Sequence, residues 1–95
     1  MILAVDFDGT LYDGEKANQT LIRRLKGNQK QGDIVILWTC RDGKRLTEAL
    51  NILAKSGFKP NLVNQNAPQA IQALGYDPRK ILADIYIDDK AISIK

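Results

Sequence analysis

Short apolar runs alternate along this chain with segments of helical periodicity, and that alternation limits the fold more than any other feature. Ile2-Leu3-Ala4-Val5, Ile34-Val35-Ile36-Leu37-Trp38 and Ile85-Tyr86-Ile87 are strand-sized, the first predicting a strand over 2–7 and the last over 84–87. Between the first two, Asn18 can cap a helix that reaches Gln31, with Leu21, Ile22 and Leu25 inward and Gly32 as its stop. After the second, Leu46, Ala49, Leu50 and Leu53 recur at helical spacing over 44–56, and Gly57 ends that helix. A short strand fits 61–64, Pro68 suits the first turn of a helix to Leu74, and 92–94 can add an edge strand. Strands alternating with helices predict an α/β fold: a doubly wound, Rossmann-like parallel sheet of four or five strands with helices on its faces.

The polar residues that end these runs are the second constraint. Open parallel sheets bind ligands outside the carboxyl ends of their strands. Asp6 and Asp8 follow the first run, Thr39 the second, and Asp88 and Asp89 the last, so all are expected at one edge. Side chains two apart on a strand share a face, which predicts that Asp6 and Asp8 crowd together. Two carboxylates about 4 Å apart repel by roughly 4 kcal/mol at an effective dielectric near 20, so the pair implies a cation, a shared proton or phosphate chemistry. Gly9 then allows a tight turn that can aim amides at an anion.

Composition removes other chemistries. The chain has no histidine, which excludes Ser-His-Asp and Cys-His mechanisms and His-ligated zinc. Cys40 is the one cysteine and cannot form an internal disulfide, as expected of a reducing, cytoplasmic setting. The apolar runs are too short to span a bilayer, and the start Met1-Ile2-Leu3-Ala4 lacks a basic leader, so no membrane partner is expected. Ninety-five residues predict one domain over 1–95. The net charge of +3 is spread over Arg23, Arg24, Lys26, Lys44, Arg45, Arg79 and Lys80 among others, a pattern of solvated helix faces that permits a nucleic-acid substrate without requiring one.

Taken together, Asp6-Phe7-Asp8-Gly9-Thr10, Leu37-Trp38-Thr39-Cys40-Arg41, Lys80 and Ala83-Asp84-Ile85-Tyr86-Ile87-Asp88-Asp89 resemble, in order and spacing, the haloacid dehalogenase (HAD) superfamily phosphatases of the small, capless kind. The resemblance runs from Ile2 to about Ala91. It implies the strand order 5-4-1-2-3 and a Mg²⁺-dependent phosphatase working through an aspartyl phosphate. Asp6 would be the nucleophile and Asp8 the acid and then the base, its pKa held near working pH by acidic neighbours. Asp6, the Asp8 carbonyl and Asp88 would hold Mg²⁺, with Asp89 a further or water-mediated ligand. Thr39 and Lys80 would bind the phosphate, Arg79 competing with Lys80 for the cationic role, and Arg41 would reach substrate. Trp38 is expected in the core, and Tyr12 either at the entrance or packed in the loop. Neither 10–18 nor 63–80 leaves room for a cap, so the site is expected to be open or to borrow a lid from a second subunit of a dimer.

Three other readings compete. A response-regulator receiver uses the same residue types but in another chain order, its acidic pair first and its acceptor Asp later. A metal-dependent glycosyltransferase also carries Asp-x-Asp, in a generally much larger domain. A phosphate-binding module of the same fold could be catalytically silent.

Overall fold

The computed structural model describes residues 1–88 in full and 92–94 as backbone. In chain order the elements are β1 (Ile2–Val5), α1 (Gln19–Lys30), β2 (Ile34–Leu37), α2 (Gly43–Lys55), β3 (Leu62–Val63), α3 (Pro68–Leu74), β4 (Ile85–Ile87) and β5 (Ile92–Ile94). The sheet order is β3-β2-β1-β4-β5, as expected. β1 to β4 are all parallel, with Leu3 opposite Val35 on one side and Ile85 on the other. β5 departs from the parallel pattern and runs antiparallel to β4, pairing Ile85 with Ile94. A parallel return needs a crossover of a dozen residues or more, and only four separate Ile87 from Ile92.

β1 and β2 bury both faces, which is why they read as continuous apolar runs rather than as an alternation. One face carries the larger core: Leu3, Val5, Val35 and Leu37 pack with Phe7, Leu11 and Phe58, with Ile22 and Leu25 of α1, and with Ala49 and Leu53 of α2. Truncating one of these buried leucines to alanine would cost on the order of 2–5 kcal/mol. The predicted cap of α1 is present, the Asn18 side chain accepting from the Leu21 amide at 3.1 Å. Gly32 and Gly57, just past the two long helices, have φ of 92° and 71°, the left-handed conformation that glycine adopts without strain.

The opposite face is covered more thinly. Ala4 and Ile36 meet Ile81, with Ile2, Ile34, Leu62, Ala83 and Tyr86 around them, while α3 buries no residue fully. The chain between α3 and β4 is pinned by Asn66, a buried amide only 5% exposed. Its Nδ2 donates to the Asp77 carboxylate and to the Pro78 and Lys80 carbonyls at 3.0–3.2 Å, and its Oδ1 accepts from the Leu82 amide at 2.6 Å. Among the described residues, no helix is long and apolar enough to cross a membrane.

Candidate active site

The carboxyl edge of the sheet is shaped by an early stop. β1 ends at Val5, two residues short of the expected 2–7, although the Asp6 amide still donates to the Ile87 carbonyl at 2.9 Å. The Phe7 carbonyl then accepts from the amides of Thr10, Leu11 and Tyr12, and the Gly9 amide donates to the Tyr12 carbonyl, folding the motif into a tight turn. Gly9 has φ 82°, so the turn uses a glycine where a side chain would be strained. Phe7 and Leu11 anchor the turn in the core, and Tyr12 stacks on Phe7 with ring centroids 5.3 Å apart. Tyr12 is therefore packed in the loop rather than at the entrance.

Past Val5 the strand alternation no longer applies, and the two aspartates have different surroundings. Asp6 lines a cavity of about 450 Å³ at the strand ends, together with Thr39, Asn64, Arg79, Asp88, Trp38, Cys40 and Ile81. The Phe7 amide donates to Asp6 Oδ1 at 2.9 Å. Asp8 is not part of that lining. It is half-exposed and held by Arg41 in a two-pronged ion pair, Nε to Oδ2 at 2.9 Å and Nη2 to Oδ1 at 2.7 Å. The guanidinium also lies over the Phe7 ring, 4.8 Å from its centroid.

This pair reverses the expected electrostatics of Asp8. The Arg41 hydrogen bonds hold its carboxyl below the usual carboxylate range against a smaller opposing effect of burial, while Asp8 raises the Arg41 guanidinium in return. No acidic neighbour is among the causes of the Asp8 shift. Among the described residues no three of Asp, Glu, Cys and His gather closely enough to hold a metal by side chains alone. Two acids, Asp6 and Asp88, from the ends of the adjacent strands β1 and β4, line the same cavity. Carboxylate oxygens are the donor type that suits Mg²⁺, and Asp6 and Asp88 are the acids among the described residues that line this cavity. Asp89, the other acid named from the sequence, lies outside the described residues.

Thr39 is gripped through its backbone. Its amide donates to Asn64 Oδ1 at 2.8 Å and its carbonyl accepts from Asn64 Nδ2 at 2.9 Å, while its hydroxyl oxygen accepts from the Arg41 amide at 3.1 Å. The hydroxyl oxygen is engaged as an acceptor in that bond, which does not use its proton. Among the described residues, the cation that lines the cavity is Arg79. Lys80, exposed as Arg79 also is, does not line it and is tied into the structure through its carbonyl on Asn66. Of the two cations that compete for the phosphate role, Arg79 lines the cavity and Lys80 does not, while Asn66 holds the backbone around both.

A solved structure described as a conserved protein from Bacteroides thetaiotaomicron is similar to this chain over 96% of its length, with 31% sequence identity, a TM-score of 0.79 and 77% of that protein covered. This chain belongs to that protein's family. No protein-family model and no curated protein matches it.

Two residues of the edge carry more than sequence reasoning assigned them. Asn64 received no role, yet it holds both polar groups of the Thr39 peptide from a backbone φ of 51°. The signal was an asparagine at a strand end, since asparagine tolerates the left-handed region better than other side chains. Trp38 was expected in the core and is 42% exposed. It follows Ile36 onto the thinly covered face, one residue beyond the end of β2, where the cover no longer reaches.

Proposed function

We propose that this chain is a cytoplasmic, Mg²⁺-dependent phosphomonoester hydrolase of the HAD type without a cap, working through an aspartyl phosphate on Asp6. The observation that carries the reading is the meeting of Asp6, Thr39, Arg79 and Asp88 around one cavity at the carboxyl ends of three neighbouring strands. Each brings a group that phosphoryl transfer needs, and their positions are set by the fold.

Asp6 attacks phosphorus, forming a carboxyl-phosphate bond as the bond to the leaving oxygen breaks. The Phe7 amide orients its carboxylate for that attack. Thr39 donates its hydroxyl proton to a non-bridging oxygen, held in place by Asn64, and Arg79 balances the charge of the phosphoryl group. Asp6 and Asp88, with the Asp8 carbonyl, would hold the magnesium ion, which when bound neutralises charge on the phosphate and on Asp6. Asp8 in its Arg41-bound state is ionised, the form that takes a proton from water as the aspartyl phosphate is hydrolysed. Protonating the leaving oxygen in the first step requires Arg41 to release it.

The test is to follow hydrolysis of an aryl phosphate with Mg²⁺ and with excess chelator, and to search for the intermediate. Activity should be lost with chelator and in Asp6→Asn. Asp8→Asn, treated with acetyl phosphate and quenched, should show one added phosphoryl group by intact-protein mass spectrometry, mapped to Asp6. Turnover in Asp6→Asn, or phosphate on another residue, would end this reading.

A further inference from the structure

We propose that Trp38 is the wall of a subsite for a planar aromatic group, a nucleobase or an aryl ring, carried by the phosphorylated substrate. This rests on the reading of Asp6, Thr39 and Arg79 as the phosphate end of the same cavity. A large apolar side chain at a strand end is normally covered, and the three residues before Trp38 are all buried. Trp38 instead lines the cavity beside Asp6 and Thr39 while 42% exposed.

The indole is braced rather than loose. Tyr86 meets it edge to face, with centroids 5.8 Å apart and planes at 68°. Tyr86 is itself fixed, its hydroxyl donating to the Ile81 carbonyl and accepting from the Ala83 amide at 3.1 Å. A ring held in this way loses little freedom when a second ring stacks on it, which is what makes tryptophan an efficient anchor. The volume, about 450 Å³, lies within the roughly 300–1,000 Å³ typical of small-molecule sites and leaves room beyond a phosphate group.

The chemistry of the lining points to stacking rather than to reading of base edges. Asn64 could otherwise recognise a base, but both ends of its amide are engaged by the Thr39 peptide. Trp38 and Ile81 contribute apolar surface, and Arg79 offers a planar cation suited to a π-face or a phosphate. A flat ring covers the indole face more fully than a sugar or an alkyl chain does, and adds ring-to-ring contact that those groups lack. Selection is therefore for a ring and tolerant of which ring, as in base stacking generally.

The experiment uses binding, so that it does not depend on turnover. Trp38 is the chain's one tryptophan, and its emission reports on this site alone. In the Asp6→Asn background with Mg²⁺, adenosine 5′-monophosphate, phenyl phosphate and ribose 5-phosphate are titrated by calorimetry and by Trp38 emission. The two ring-bearing phosphates should quench the emission and bind about tenfold more tightly than ribose 5-phosphate. Trp38→Leu should bring all three within about twofold by calorimetry, and Trp38→Phe should keep the preference. Equal binding of the three phosphates overturns the proposal, and so does a Trp38→Leu variant that weakens all three alike. Emission that shifts with protein concentration and is unmoved by adenosine 5′-monophosphate also overturns it, placing a second copy of the chain over the indole. Ring preference without any turnover in the native protein would sustain the subsite and remove the phosphatase reading; turnover without ring preference would do the reverse.

Discussion

Arg41 reaches across 33 positions of sequence to grip both carboxylate oxygens of Asp8 while its guanidinium rests on Phe7, one residue before that aspartate. One side chain thus ties the loop after β2 to the turn after β1. The grip is directional in a way that a lysine could not reproduce, because two nitrogens of a planar fork meet two oxygens of a planar carboxylate.

Arg41→Lys should therefore separate stability from activity. The pair is half-exposed on the Asp8 side, so its loss should lower stability by no more than about 1 kcal/mol. Turnover should fall further, by about tenfold or more, because Asp8 loses the contact that holds it ionised and placed to take a proton from water, and small misplacements of a catalytic group are costly. Melting curves beside kcat on an aryl phosphate would check this. A variant that melts and turns over like the native protein would show that the Arg41 grip has no part in placing Asp8.

Acid should weaken the fold through carboxylates held below their ordinary value near 3.8. Asp33 accepts from the Asn28 side chain at 3.0 Å and from the Met1 amino group at 2.9 Å, and these bonds, Asn28 first, depress its pKa. Asp13 is depressed by the amides of Lys16 and Glu15. A depressed carboxyl favours folding above its unfolded pKa and loses that contribution as pH falls through its folded pKa, so the loss from these groups falls below about pH 4. Asp33→Asn should melt lower than the native chain near neutrality, and the gap should narrow toward about pH 2. A gap that is constant across that range would assign the loss to something other than ionised Asp33.

The elements of this fold were legible because each depends on local pattern. Buried parallel strands leave continuous apolar runs, α2 leaves its repeat of Leu46, Ala49, Leu50 and Leu53, and Asn18 marks the start of α1 where its side chain does cap. The gathering of Asp6, Thr39 and Asp88 was legible too, since strand ends in a parallel sheet converge. What could not be read depends on contacts between distant segments. Nothing local to Asp8 or Arg41 announces their pairing, and strand alternation says nothing of Asp8 once the turn begins at Phe7. Asn66 looks like any loop asparagine until the segment from Asp77 to Leu82 closes around it. Trp38 follows a buried run, and only the extent of the cover on its face decides that it is exposed.

The choice between Arg79 and Lys80 belongs to the same class, and it yields the most discriminating measurement. Both sit in a stretch without regular structure, so no helix phase or strand alternation could say which one turns inward. The Asn66 hub holds the backbone around both, at Pro78, Lys80 and Leu82, and Arg79 is the one that lines the cavity. If Arg79 is the phosphate-site cation, Arg79→Met should lower kcat/KM on an aryl phosphate by about a hundredfold, since a charge-assisted contact to the phosphoryl group is lost inside the cavity. Lys80→Met should stay within about threefold, because an exposed ammonium group is replaced outside it. Asn66→Asp should reproduce the Arg79 defect with both cations intact: it keeps the acceptor for Leu82 but turns a donor to three oxygens into a repelling one, at a cost of about 1–3 kcal/mol. Melting curves separate that cost from the kinetics, since Arg79→Met should melt like the native chain. The opposite ranking, with Lys80→Met crippled and Arg79→Met active, would mean that the segment turns over when substrate binds and would remove Arg79 from the site.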